Sequence, residues 1–184
     1  MNHLFHVSEE PAIKLFEPRP SKYVPDPVVW AIDEARLHNY LMPRDCPRVT
    51  YYAGSETSPA DVERFLGVSS AVVALESAWF SRLRACRLYC YELPTETFEC
   101  FDECAGYFVS RSPVVPRGVT IIDDCIGELL RLGVELRFVP GLWPLRDAVA
   151  SSTLQFSFIR MQNAQRKRLC EDKQRIRTAS EAID

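Results

Sequence analysis

Glycine is scarce in this chain, seven among 184 residues, and none falls in a G-x-G-x-x-G or Walker-type loop. The sequence therefore has little material for a backbone cradle around phosphates. Histidine is scarcer still, three in all, which limits the metal sites and Cys–His nucleophiles that can be built. No apolar run approaches the roughly 18 residues of a membrane span, and Met1-Asn2-His3-Leu4 lacks the charged and apolar regions of a secretory signal. Basic charge is not in excess either. A formal net charge of -3 gives no global field to attract nucleic acid or an anionic membrane. The seven Cys, odd in number and without secretory context, read as reduced thiols in a cytoplasm.

A hydrophobic fraction of 47% and a charged fraction of 26% are those of an ordinary globular protein, long enough to bury a core without disulfides or metal. One domain over 1–165 is expected, followed by a charged tail over 166–184, helical or disordered. Strand-type runs occur at 4–8, 28–32, 48–53, 88–93, 107–110, 119–122 and 134–139. Pro18, Pro20, Pro25 and Pro27 make 17–27 a surface loop. Asp33 caps a helix carrying Leu37, Tyr40 and Leu41, with Pro43 as its stop. Ser58-Pro59 opens a second helix that Gly67 closes. Residues 72–75 fit a buried strand or the start of a helix running through Leu83. Pro94-Thr95 is expected to start a short helix with Phe98 and Phe101. Asp123 is expected to cap another, with Ile126, Leu129 and Leu130 inward. From Leu145 to about Arg168 the spacing of Leu154, Phe158 and Met161 predicts helix. Strands and helices are interspersed, yet several strands follow one another closely, so the fold class is α+β.

Few side-chain groups stand out as chemistry. Cys86 and Cys90 on a strand are separated by roughly 13 Å, too far for both sulfurs to lie about 2.3 Å from one zinc. Cys100 and Cys104 on a helix would be neighbours but lack two further ligands, so no metal is expected. His3 and His6 fall on opposite strand faces. His38, between Arg36 and Asn39, reads as solvated. His6 shares a face with Leu4 and Ser8, and either bonds within the core or lines a cleft at the strand's end. Glu9-Glu10 could sit beside His6 but reads most simply as a solvated turn.

Two resemblances add to this reading. Over LFHVSEEPAIKLFEPRPS, VVWAIDEARLHNYLMPRDCPRV, GYFVSRSPVVP and LWPLRDAVASSTLQFSFIR, the chain resembles a small uncharacterised bacterial protein family, which brings no activity. The opening, Phe5-His6-Val7-Ser8 and then Val29-Trp30-Ala31-Ile32-Asp33, resembles ADP-ribosyltransferase-like domains and their RNA 2'-phosphotransferase relatives. That resemblance implies a split β-sandwich of mixed and antiparallel sheets with flanking helices around an NAD cleft. It implies that His6 bonds a ribose with support from Ser8, and that Trp30 or Tyr40 stacks on the nicotinamide. Such transferases place a Glu on a third strand. The matching run here, Gly106 to Arg111, has no acid, and Tyr107 or Ser110 stands in its place. His6 and Tyr107 are the catalytic candidates, and Arg19 and Arg111 the candidates for holding a phosphate. The expectation is an NAD- or nucleotide-binding domain of the cytoplasm, with a small nucleotide ligand, an unnamed acceptor and doubtful transfer. The alternative is a non-catalytic binding or interaction protein on the same scaffold.

Overall fold

Side chains of a strand alternate between its two faces, and that rule organises most of this protein. A computed structural model describes residues 3–166. Its strands are β1 (Leu4–Ser8), β2 (Val29–Asp33), β3 (Arg48–Tyr52), β4 (Ala71–Glu76), β5 (Leu88–Leu93), β6 (Glu99–Asp102), β7 (Tyr107–Ser110), β8 (Gly118–Ile122), β9 (Val134–Val139) and β10 (Gln155–Ile159). They form a six-stranded sheet in the order β6-β7-β2-β1-β5-β8 and a four-stranded sheet in the order β10-β3-β4-β9. Neighbours are antiparallel except β4 and β9, which run parallel. The fold is α+β, with two sheets and short flanking helices.

Three apolar layers follow from the alternation. Between the sheets, Phe5, Val7, Leu88 and Cys90 meet Tyr52, Val73, Leu75 and Leu136. Behind the small sheet, Val49, Tyr51, Val72 and Ala74 pack against Phe65, Leu66, Leu142 and Val149 of the covering helices. On the outer face of the large sheet, Leu4, Val29, Ala31, Tyr91 and Leu93 are covered by Phe16 and Val114. Burying each such Leu, Val or Phe contributes about 1.5–3 kcal/mol. The cover over the outer face is the loop between β1 and β2. It is pinned by bridges from Phe16 to Val114 and from Arg19 to Val28, and its Ala12 has a left-handed φ of 59°.

The structure corrects several expectations. Residues 94–101 are not a helix: a turn leads into β6, which pairs with β7. The i, i+3 spacing of Phe98 and Phe101 belongs to a turn and a strand, and Gly106 (φ 69°) closes the hairpin. Cys100 therefore lies on a strand and Cys104 in a turn. Of the helix expected from Leu145 to Arg168, the described residues show an α-helix over Trp143–Ala150 and a single 3-10 turn over Met161–Asn163. Ser151-Ser152-Thr153 interrupts it, because Thr153 bonds the Asp61 carboxylate through both its amide (2.8 Å) and its hydroxyl (2.6 Å), and such bonds compete with helix. The chain then re-enters the small sheet as β10. Asp124, not Asp123, caps Cys125–Arg131 by accepting from the Gly127 amide at 2.9 Å. Leu130 on that helix is exposed. The ambiguous stretch at 72–75 is strand.

His38 also differs from expectation. Glu34–Tyr40 is a 3-10 helix, in which three residues make a turn, so the buried face shifts relative to an α-helix. His38 and Asn39 are buried, and burial lowers the His38 pKa to about 4, with Arg36 adding to the shift. Among the described residues no helix is long and apolar enough to cross a membrane. Residues 167–184, nearly all of the expected tail, lie outside the described residues.

Candidate functional site

β1 and β2 are registered at Leu4–Asp33 and Phe5–Ile32. One step further along, the Trp30 carbonyl is bonded by the His6 ring, with Nδ1 at 2.9 Å. A carbonyl only accepts, so Nδ1 carries a proton, and in the neutral ring Nε2 keeps a free lone pair. Burial holds the His6 pKa below its ordinary value. The Trp30 bond opposes that shift, while the charges of Arg44 and Arg19 deepen it. The imidazole is therefore neutral near pH 7. Its Nε2 has no hydrogen-bond partner among the described residues and is not among the polar atoms sealed from solvent. What the ring offers is an acceptor of fixed direction beside two guanidinium groups.

The surroundings hold that ring in place. Phe16 lies 4.7 Å from it, centroid to centroid, and meets Tyr91 edge-on at 5.3 Å. Tyr91, opposite His6 on β5 and buried, accepts from the Ile13 amide at 3.0 Å and donates to the Glu10 carbonyl at 2.8 Å. Ser8 accepts from the Glu10 amide at 3.0 Å. Glu9 accepts from the Arg44 amide at 2.7 Å, tying the segment after the 3-10 helix to the end of β1. Arg44 and Phe16 are the members of this site that sequence reasoning missed. Arg44 is one of several charges after a helix, and Phe16 sits in a Pro-rich loop with no periodicity to mark it.

The remaining expected residues lie elsewhere. Register and alternation put Trp30 and Tyr107 on the opposite face of the large sheet from His6. Their contacts agree: Trp30 meets Tyr107 at 5.9 Å, Phe101 at 5.1 Å and Tyr23 at 6.3 Å, all edge-on. Tyr40 joins them by donating its hydroxyl to that of Tyr107 at 2.9 Å, and burial raises its pKa. His6, Ser8 and Arg19 thus form one group and Trp30, Tyr40 and Tyr107 another, with the sheet between them. Ser110 is buried, its hydroxyl engaged with Thr97 and Ser112. Arg111 is paired with Glu99 at 2.8 Å and Asp26 at 3.3 Å, so it is already neutralised.

Behind the aromatic group lies Arg48, fully buried on β3. It donates to the Cys46 carbonyl at 2.9 Å and stands 5.4 Å from the Tyr40 ring. It forms no ion pair among the described residues, its Nε is unpartnered, and burial pulls its pKa down to about 10. A shallow open pocket beside Tyr52, Asp102, Cys104 and Phe156 is lined by none of the expected site residues. Among the described residues, no group of three or more His, Cys, Asp or Glu is placed to hold a metal ion.

The profile of DUF6886, described as a family of unknown function, matches residues 5–164. No curated protein and no solved structure matches the chain.

Proposed function

The chain belongs to the DUF6886 family of unknown function, and from that premise we propose that it binds a nucleotide, NAD or a close chemical relative, beside His6. One observation carries the proposal: the Trp30 carbonyl fixes the His6 tautomer, so that Nε2 is left as an acceptor without a partner among the described residues, under the influence of the Arg19 and Arg44 charges. A ribose hydroxyl donates to such a nitrogen, and a phosphate is drawn to the two guanidinium groups. Ser8 supports this indirectly, by holding the turn that follows His6. The ADP-ribosyltransferase resemblance gives it no support, because the aromatic that would stack on the nicotinamide, Trp30 or Tyr40, lies across the sheet from His6. The reading rests on the His6 geometry, and the two-sheet α+β architecture is compatible with it. Unpaired thiols fit a cytoplasmic setting.

The proposal stops at binding. β7 carries no acid, and Glu92 on β5 projects from the face opposite His6, where it meets His3 at 3.3 Å. Tyr107, on the far side of the sheet, is not part of the proposed site, nor are Trp30, Tyr40, Ser110 and Arg111. A ligand that binds only the native state raises the melting temperature by mass action. NAD and ADP-ribose are expected to do so, and His6→Ala and Arg44→Ala are each expected to reduce the rise. No shift with NAD, ADP-ribose or a 2'-phosphorylated RNA sinks the nucleotide reading. Rapid release of free nicotinamide from NAD would show that the chain is a catalyst as well.

A further inference from the structure

Edge strands present unpaired backbone groups, and proteins protect them with charges, prolines, bulges or covering segments. β6 follows that rule, with Glu99, Asp102 and a register shift between Cys100 and Asp102. β9 carries Glu135 and Arg137. β8 does not follow it. Its five residues, Gly118-Val-Thr-Ile-Ile122, contain no charge and no proline, and they pair with β5 in unbroken register. Residues 118–121 are exposed, with Val119 and Ile121 at 50% and 56%.

The sequence around this edge is complementary to itself. Place a second copy antiparallel about Thr120, and Val119 of each strand faces Ile121 of the other. One step out on the same face, Arg117 faces Asp123. Within one chain Arg117 already pairs with Glu96, and Asp123 with Arg87. The two-fold therefore links four charges of alternating sign, Glu96, Arg117, Asp123 and Arg87, at each end of the pair. Opposite charges and β-branched residues directly across an antiparallel pair are the favourable cross-strand combinations, and a two-fold axis uses each twice.

We infer that β8 is the dimerisation edge of this protein, with two copies joining their large sheets antiparallel about Thr120. The occupant is a second copy because the charge pattern repeats under the two-fold and the apolar pair is matched by it. The inference is independent of nucleotide binding.

Sedimentation or light scattering over rising micromolar concentration is expected to show a species of twice the 21.1 kDa chain mass. Ile121→Lys sets an ammonium against Val119 on an exposed position and is expected to shift the chain to monomer, with circular dichroism and melting confirming an unchanged fold. Arg117→Asp puts like charges together and is expected to weaken the dimer at least tenfold. Wild-type protein that stays monomeric at every concentration overturns the inference. So does a dimer that Ile121→Lys or Arg117→Asp leaves unchanged.

Discussion

The hydroxyl of Tyr40 donates to the hydroxyl of Tyr107 across 2.9 Å, joining the end of the 3-10 helix to a strand of the large sheet. Burial raises the Tyr40 pKa above its ordinary value, and Arg48 stands behind its ring.

Removing one partner should therefore cost more than removing both. Tyr107→Phe leaves the Tyr40 hydroxyl without its acceptor, and about 1–3 kcal/mol of stability should be lost. The double change to Phe at both positions should cost less than the sum of the single changes, with a coupling of about 1 kcal/mol. Denaturant titration of the four proteins measures this, and strict additivity would show that the bond contributes nothing.

His38 predicts a pH dependence whose sign is fixed. Its folded pKa, about 4, lies below the ordinary value of about 6.5. Its stabilising contribution is therefore complete above pH 6.5 and falls progressively as pH drops toward 4, where the unfolded chain takes up the proton first. The full effect is on the order of 3 kcal/mol. His38→Phe, which cannot titrate, should flatten the stability curve over this window. A curve unchanged by that substitution would exclude His38 as its source.

Ligand binding should respond to pH through His6 as well. Because its pKa is depressed, Nε2 stays an acceptor from pH 8 down to about 6.5, so the affinity for NAD or ADP-ribose should be level there. Below that range it should weaken as Nε2 gains a proton. Calorimetric titration over pH reads this directly, and affinity that rises on acidification would contradict an acceptor role.

Arg48 offers a test of buried charge. Among the described residues its guanidinium has one hydrogen bond, to Cys46, and an unpartnered Nε. Desolvating a charge without a carboxylate partner is costly. Arg48→Met, of similar length and uncharged, should leave stability unchanged or raise it by about 1 kcal/mol. A marked fall in melting temperature would show that the Cys46 bond and the contact with Tyr40 outweigh desolvation.

Local pattern carried much of the fold. Leu88 to Leu93 and Val134 to Val139 read as strands because their residue types and alternation are those of a half-buried ladder, and the structure places them so. Pattern failed where two periods coincide. Leu154, Phe158 and Met161 fit a helix by spacing, yet Phe158 lies on β10 and Met161 opens a 3-10 turn, after a break held by bonds from Thr153 to Asp61, 92 residues away in sequence. His38 is buried where α-helical spacing predicts exposure, because a 3-10 turn and an α turn expose different residues. In the candidate site His6 was visible from its strand. The Trp30 carbonyl that fixes its tautomer and the Arg44 charge beside it are products of tertiary pairing, which one sequence does not display.

The two hydrogen bonds of Tyr91 determine how a ligand would meet His6. Its hydroxyl grips the Ile13 amide and the Glu10 carbonyl together, so the segment over the outer face is riveted to β5. To swing away, it would have to give up both bonds and expose a buried ring. The cover over His6 is accordingly fixed rather than hinged, and a ligand reaching the ring would have to do so without that segment moving.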